Sequence, residues 1–174
     1  MHKRKLKNII LILVLGISVL LGHQIVDKVQ EKQKLVQSIE TIPNFSFKTL
    51  DDSLFTKEHL HEGIPTVFLY FNSDCEFCQH EAKNISENIH LLKGAHLVFV
   101  STESMEKIIE FSEHNRLGNI PNVNFLRDKD DSFSKLFQPS SIPFSLIYDK
   151  DQKLLKIQKG QLSVHGILNT IKQK

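Results

Sequence analysis

From Thr66 to Lys93 three kinds of sequence follow one another without a break. A continuous apolar run, Thr66 to Phe71, leads into two cysteines two residues apart, Cys75 and Cys78. Apolar residues then recur at Ala82, Ile85, Ile89 and Leu92. The run is bounded by Pro65 and Asn72 and reads as a strand covered on both faces. The recurrence at three, four and three residues predicts an amphipathic helix from about Phe77 to Lys93, closed by Gly94. A chain that must bury both a strand and a helix stripe packs them in layers. The feature therefore constrains the chain to an α/β sandwich with its cysteines at a strand-to-helix turn.

The flanking sequence extends the alternation. Asn44 to Thr49, with Phe45 and Phe47 on one face, predicts a strand, and Leu54 to His61 a short helix ended by Gly63. Leu97 to Val100 reads as a second buried strand, Ser104 to Asn115 as a helix, Asn122 to Leu126 as a short strand, and Ser132 to Phe137 as one or two helical turns. After Pro143, Phe144 to Tyr148 and Leu154 to Gln158 flank Asp149-Lys150-Asp151 as an antiparallel hairpin. Val164, Ile167, Leu168 and Ile171 close the chain with a helix. The expected architecture is one α/β domain, residues 43–174, with a central mixed sheet flanked by helices. A chain of 174 residues holds one such domain and a short appendage.

The appendage carries an address. Lys3, Arg4, Lys5 and Lys7 precede an apolar run from Ile9 to Leu21. Its strict core is 13 residues, in the range of a cleavable signal, but no A-x-A-like cleavage pattern follows, and extension to Val26 gives 18 mostly apolar positions. Residues 1–26 are therefore expected to be a retained signal-anchor, or transmembrane segment, and residues 27–42 a helical stalk or linker. Cations ahead of the span orient the rest away from the cytoplasm. The expected location is the cytoplasmic membrane, single-pass, with the domain on the extracytoplasmic (periplasmic) side. Setting those four cations aside leaves 18 basic against 20 acidic residues, a balance that does not support a nucleic-acid partner.

Two cysteines cannot scaffold a disulfide-rich fold, so their purpose is local. A residue just ahead of a first helical turn meets unpaired backbone N–H groups and the positive end of the helix dipole, which favour a thiolate at Cys75. Cys78 lies about one turn along, within reach of a mixed disulfide formed by Cys75. Asp74, Glu76 and Glu81 place negative charge nearby, which opposes the thiolate and points toward a reductant. A zinc- or copper-binding module is the alternative from another class, since Cys75, Cys78, His80 and His90 fall within 16 residues, with His59 and His61 the nearest further candidates. Haem attachment fails by one place, because Gln79 stands where histidine is needed.

Four stretches together resemble a known family. Pro43-Asn44-Phe45, the run Phe71-Asn72-Ser73-Asp74-Cys75-Glu76-Phe77-Cys78, Ser141-Ile142-Pro143-Phe144, and Gly160 are similar to the thioredoxin superfamily. The resemblance is to its membrane-anchored, extracytoplasmic thiol-disulfide oxidoreductases, the TlpA/ResA-like branch related to AhpC/TSA and redoxin proteins and typified by cytochrome c maturation. It implies a thioredoxin-like fold over most of Pro43 to Lys174, with Cys75 attacking, Cys78 resolving, and Pro143 in a cis bond beside the disulfide, shaping the groove for a partner peptide. Glu81 coincides with a glutamate that this branch keeps beside its active site to tune the thiol or relay protons; the bland reading is a solvated helix-face carboxylate. No cofactor is implied. The implied partners are a substrate protein carrying a disulfide or dithiol, apocytochrome c among the candidates, and an upstream thiol-disulfide electron donor, in a role in cell redox homeostasis. The 68 residues from Cys75 to Pro143 fit a branch with an extra strand-helix insertion. Three departures stand out: no tryptophan precedes Cys75, Leu69 occupies the place of a buried aspartate, and Phe77 replaces a common proline. A thiol peroxidase shares the fold, but its Pro-x-x-x-Thr-x-x-Cys pattern meets Phe68 and Asn72 here.

Overall fold

A computed structural model of the chain describes residues 2–172, those at 2–15 and 17–19 by their backbone alone. It divides into two units, Met1–Ser38 and Ile39–Lys174. The first is one helix, α1 (His2–Ser38), which takes in residues 27–38 of the stalk expected over 27–42. Among the described residues no helix is long and apolar enough to cross a membrane. Of residues 1–26, expected as an anchor, those at 1–15 and 17–19 lie outside the residues whose side chains are described.

The second unit is built on a seven-stranded mixed sheet. Its strands are β1 (Ser46–Thr49), β2 (Leu54–Thr56), β3 (Thr66–Tyr70), β4 (His96–Ser101), β5 (Val123–Arg127), β6 (Phe144–Tyr148) and β7 (Leu154–Lys159). Their order across the sheet is β2-β1-β5-β4-β3-β6-β7. The pairs β3-β4 and β4-β5 are parallel and the rest antiparallel. Every residue of β3 and β4 is buried, which is why both strands read as unbroken apolar runs: central parallel strands are covered on two faces. Helices α2 (Glu76–Glu87), α3 (Met105–His114), α4 (Ser132–Phe137) and α5 (Val164–Lys172) complete the layers.

Alternate residues of β3 point to opposite faces. Val67, Leu69 and Phe71 join Cys78, Ala82 and Ile85 of α2, Ile108 and Phe111 of α3 and Ile167 of α5 in one core. Phe68 faces the other way, among Phe45, Phe137 and Tyr148 at centroid distances of 5.5–6.0 Å. The end of β3 is thereby held from both sides, and the cysteine turn starts from a rigid base.

Two expectations change. Leu54 to His61 is not a helix: Leu54–Thr56 pairs antiparallel with β1, and only Lys57–His59 makes a 3-10 turn. A tight turn decides this. Asp52 takes the left-handed conformation (φ 64°), its N–H donates to Thr49 O, and the Thr49 N–H donates to Ser53 O at 2.9 Å, which folds the chain back as a hairpin. The helix predicted to Lys93 also divides at Asn88, after which Ile89–Leu92 forms a 3-10 segment. At the start of the unit, Ile39 and Ile42 are both buried, and Tyr148 Oη donates to Ile39 O at 3.1 Å. Packing therefore begins ahead of Pro43.

Candidate active site

Beyond β3, the Phe71 N–H donates to Val100 O, so the sheet still guides the chain one residue further. A tight turn follows, in which Asn72 Oδ1 accepts from the Asp74 N–H at 2.9 Å and Asn72 O from the Cys75 N–H at 3.2 Å. Cys75 is the N-cap of α2, with extended backbone (φ −83°, ψ 116°), and its carbonyl accepts from the Gln79 N–H at 3.0 Å. Both cysteines are free thiols; Cys75 is half-buried and Cys78, one turn along, is buried. Across the turn, the Ile142-Pro143 bond is cis, as the resemblance implies, and Cys75 Sγ lies 3.7 Å from Ile142 O. Cys75 and Pro143 thus come together at one end of the sheet, where Tyr70 of β3 lies opposite Phe144 of β6, with Cys78 one turn behind. Phe77 (61% exposed) and Ile142 (43%) leave apolar surface open beside the sulfur.

Burial pushes the Cys78 thiol well above its ordinary range, with Cys75 and the charge of Glu81 adding to the effect. Glu81 is not a solvated carboxylate. It is 2% exposed, on the same helix stripe as Cys78, Ala82 and Ile85, and its Oε1 accepts from the Leu162 N–H at 2.8 Å. Burial raises its pKa to about 7, against the opposing influence of the Leu162 N–H and the Ser145 hydroxyl. At neutral pH this carboxyl lies close to the midpoint between acid and base.

A second network, which the sequence did not point to, clamps the turn. Glu103, just ahead of α3, accepts from the Ser73 N–H at 2.6 Å and from Ser73 Oγ at 2.8 Å. Gln79 Nε2 donates to Ser73 O at 2.7 Å. Lys107 Nζ bonds Asp74 Oδ2 at 2.7 Å and lies 3.5 Å from Glu103. The negative charge expected at Asp74 is therefore paired, and that of Glu76 faces His80 at 3.6 Å on the exposed side of the helix. Glu103→Ala is expected to cost about 2 kcal/mol, the scale for losing hydrogen bonds to a charged group. It should also speed hydrogen exchange at the Ser73 amide; an unchanged amide would mean that the turn holds its shape without the clamp.

The histidines considered as metal ligands go elsewhere. His59 Nδ1 caps the 3-10 turn at the Thr56 N–H (3.1 Å), and His61 stacks on buried His96 at 4.4 Å. His90 is exposed. Among the described residues no group of three or more His, Cys, Asp or Glu side chains is placed to hold a metal ion.

The AhpC/TSA family matches residues 39–157, a span that includes the whole turn and Pro143. No curated protein is close enough in sequence to match. Among solved structures, a thioredoxin-like protein from Aeropyrum pernix is 14% identical, with TM-score 0.64 over 85% of this chain and 98% of that one. A secreted Mycobacterium tuberculosis disulfide oxidoreductase homologous to E. coli DsbE is 18% identical, with TM-score 0.64 over 79% and 98%. The peroxidoxin BcpB from the same organism is 17% identical, with TM-score 0.65 over 76% and 94%. These likenesses establish a thioredoxin-like α/β fold.

Proposed function

The chain belongs to the AhpC/TSA family and is a thioredoxin-like oxidoreductase, and we propose that it reduces protein disulfides through Cys75 and Cys78, tethered at the extracytoplasmic face of the cytoplasmic membrane. One observation carries the reading: a half-buried cysteine caps a helix beside a cis proline, with a buried partner thiol one turn along. Cys75, as thiolate, attacks a substrate disulfide and forms a mixed disulfide, and Cys78 then displaces the substrate. Pro143, Phe77 and Ile142 border the sulfur and offer an apolar seat for the substrate segment. Glu81 receives the proton that Cys78 must lose. An upstream dithiol donor resets the pair, and apocytochrome c is a candidate substrate. The basic start and the apolar run before residue 27 support the tether, and the secreted mycobacterial oxidoreductase of the same fold is consistent with that side of the membrane.

The reducing direction rests on charge. Strong oxidants stabilise their reduced thiolate. Here the group against Cys75 Sγ is a carbonyl oxygen, while Lys107 is committed to Asp74 and Glu103, and His80 faces Glu76. A peroxidase would need the proline and threonine of the Pro-x-x-x-Thr-x-x-Cys pattern ahead of the cysteine, but Phe68, fully buried in an aromatic cluster, stands in the place of the first and Asn72, engaged in the turn, in that of the second. Equilibration of the pair against a dithiol buffer is expected to give a potential well below the roughly −120 mV of strong oxidases. A potential at or above that level overturns the direction, and a reduced protein inert toward protein disulfides overturns the function.

A further inference from the structure

We propose that Ser145 is a positioning residue for Glu81: its hydroxyl is the hydrogen-bond donor reserved for the ionised carboxylate, and it decides when Glu81 can take the proton of Cys78. The inference deepens the exchange reading above and rests on it.

Ser145 lies on β6, two residues beyond Pro143, between Leu69 of β3 and Gln158 of β7. It is fully buried, and its Oγ makes no hydrogen bond of ordinary length with any group among the described residues. A buried hydroxyl without a partner is costly where alanine would fill the same place, so it calls for a reason. The reason is next to it. Ser145 stands directly opposite Leu69, so the two share a face of the sheet. Leu69 packs with Cys78, Ala82 and Ile85 of the buried helix stripe that also carries Glu81. Glu81 has one oxygen satisfied by the Leu162 N–H, and the Ser145 hydroxyl on that face favours the charged form of the carboxyl.

The two protonation states have different needs. A protonated carboxyl carries its own donor, so the bond it makes with the Ser145 hydroxyl is an ordinary neutral one, weaker than the charge-assisted bond to a carboxylate. A carboxylate only accepts and requires further donors. A serine hydroxyl that no other group claims can turn to meet it. The elements packed on Glu81 present few competitors: Cys78 on its own helix, Ser145 from β6 and the Leu162 amide from the segment ahead of α5, of which only Cys78 titrates.

In the step this serves, the Cys78 S–H gives its proton to the Glu81 carboxylate. The Cys78 sulfur attacks Cys75 in the mixed disulfide, the Cys75–Cys78 bond forms, and the bond to the substrate breaks. The substrate sulfur leaves as a thiolate and takes a proton from solvent. The substrate pair gains two electrons and the Cys75–Cys78 pair loses two.

The test uses the full chain with Ser145→Ala and Ser145→Thr. The Glu81 carboxyl is titrated by 13C NMR in the reduced protein without substrate, and the pH profile of mixed-disulfide resolution is measured in single turnover. Ser145→Ala is expected to move both midpoints upward by about one pH unit, a tenfold loss of ionised Glu81 below its midpoint, and Ser145→Thr to restore them. An unmoved carboxyl midpoint in Ser145→Ala overturns the proposal, as does a folded Ser145→Thr that titrates like Ser145→Ala. Because the carboxyl titration needs no turnover, a wild type inert toward disulfides refutes the exchange reading separately.

Discussion

Cys78→Ala is expected to turn the protein into a trap: one substrate chain becomes covalently attached per molecule, and its release slows at least about 1000-fold. The estimate follows from proximity. A thiol one helical turn from the mixed disulfide acts at an effective concentration of about 10⁵ M or more when well oriented, whereas a free thiol replacing it is present at millimolar levels. A loss of at least about 1000-fold needs only a small part of that advantage. The substitution removes one sulfur from a buried site and costs about 1 kcal/mol, so the fold survives to be tested. Adducts isolated from cells should vanish on reduction, and they should be absent altogether from Cys75→Ala, which lacks the attacking sulfur. The attached protein identifies the substrate. If Cys78→Ala collects nothing while Cys75→Ala still reduces disulfides, the roles assigned to the two sulfurs are wrong.

The parts of this site that were legible in the sequence are those whose signal is local. β3 and β4 stand out because a strand covered on both faces has no polar positions to interrupt it. Ser132–Phe137 forms the short helix predicted over the same residues. The strand β2 was not legible: three residues are too few to separate a period of 2 from one of 3.6, and its pairing depends on the turn at Asp52. Ile39 and Ile42 looked like stalk because what buries them includes the hairpin around Asp149, more than 100 residues away. Glu81 left a clue that was open to reading. It falls at the i+3 position from Cys78 and i−4 from Ile85, within the apolar stripe, so its burial follows once the face of the helix is fixed. Glu103, Gln79 and Ser145 left none, since a polar residue near a helix start or within a strand carries no mark of the distant backbone or carboxyl it meets.

Above pH 7, Glu81→Gln is expected to be more stable than the wild type by about 3 kcal/mol. The folded protein holds the Glu81 proton up to about pH 7, whereas the unfolded chain releases it near 4.5. Below the lower value both states are protonated and no penalty exists. As pH rises between the two, the unfolded state ionises first, so the wild type loses stability. Above the upper value both are ionised and the full cost of holding a buried carboxylate is present, at about 1.4 kcal/mol per pH unit of difference. Glutamine resembles the protonated acid and still offers an oxygen to the Leu162 N–H, so its stability should not follow this curve. Urea denaturation of both proteins from pH 4.5 to 8 is expected to show a gap opening from near zero. A wild type as stable as Glu81→Gln at pH 8 would mean that donors around the carboxylate fully offset its burial. The same substitution removes the proton acceptor for Cys78, so resolution should slow as stability rises. The charge that weakens the fold above neutrality is the one that disulfide exchange requires.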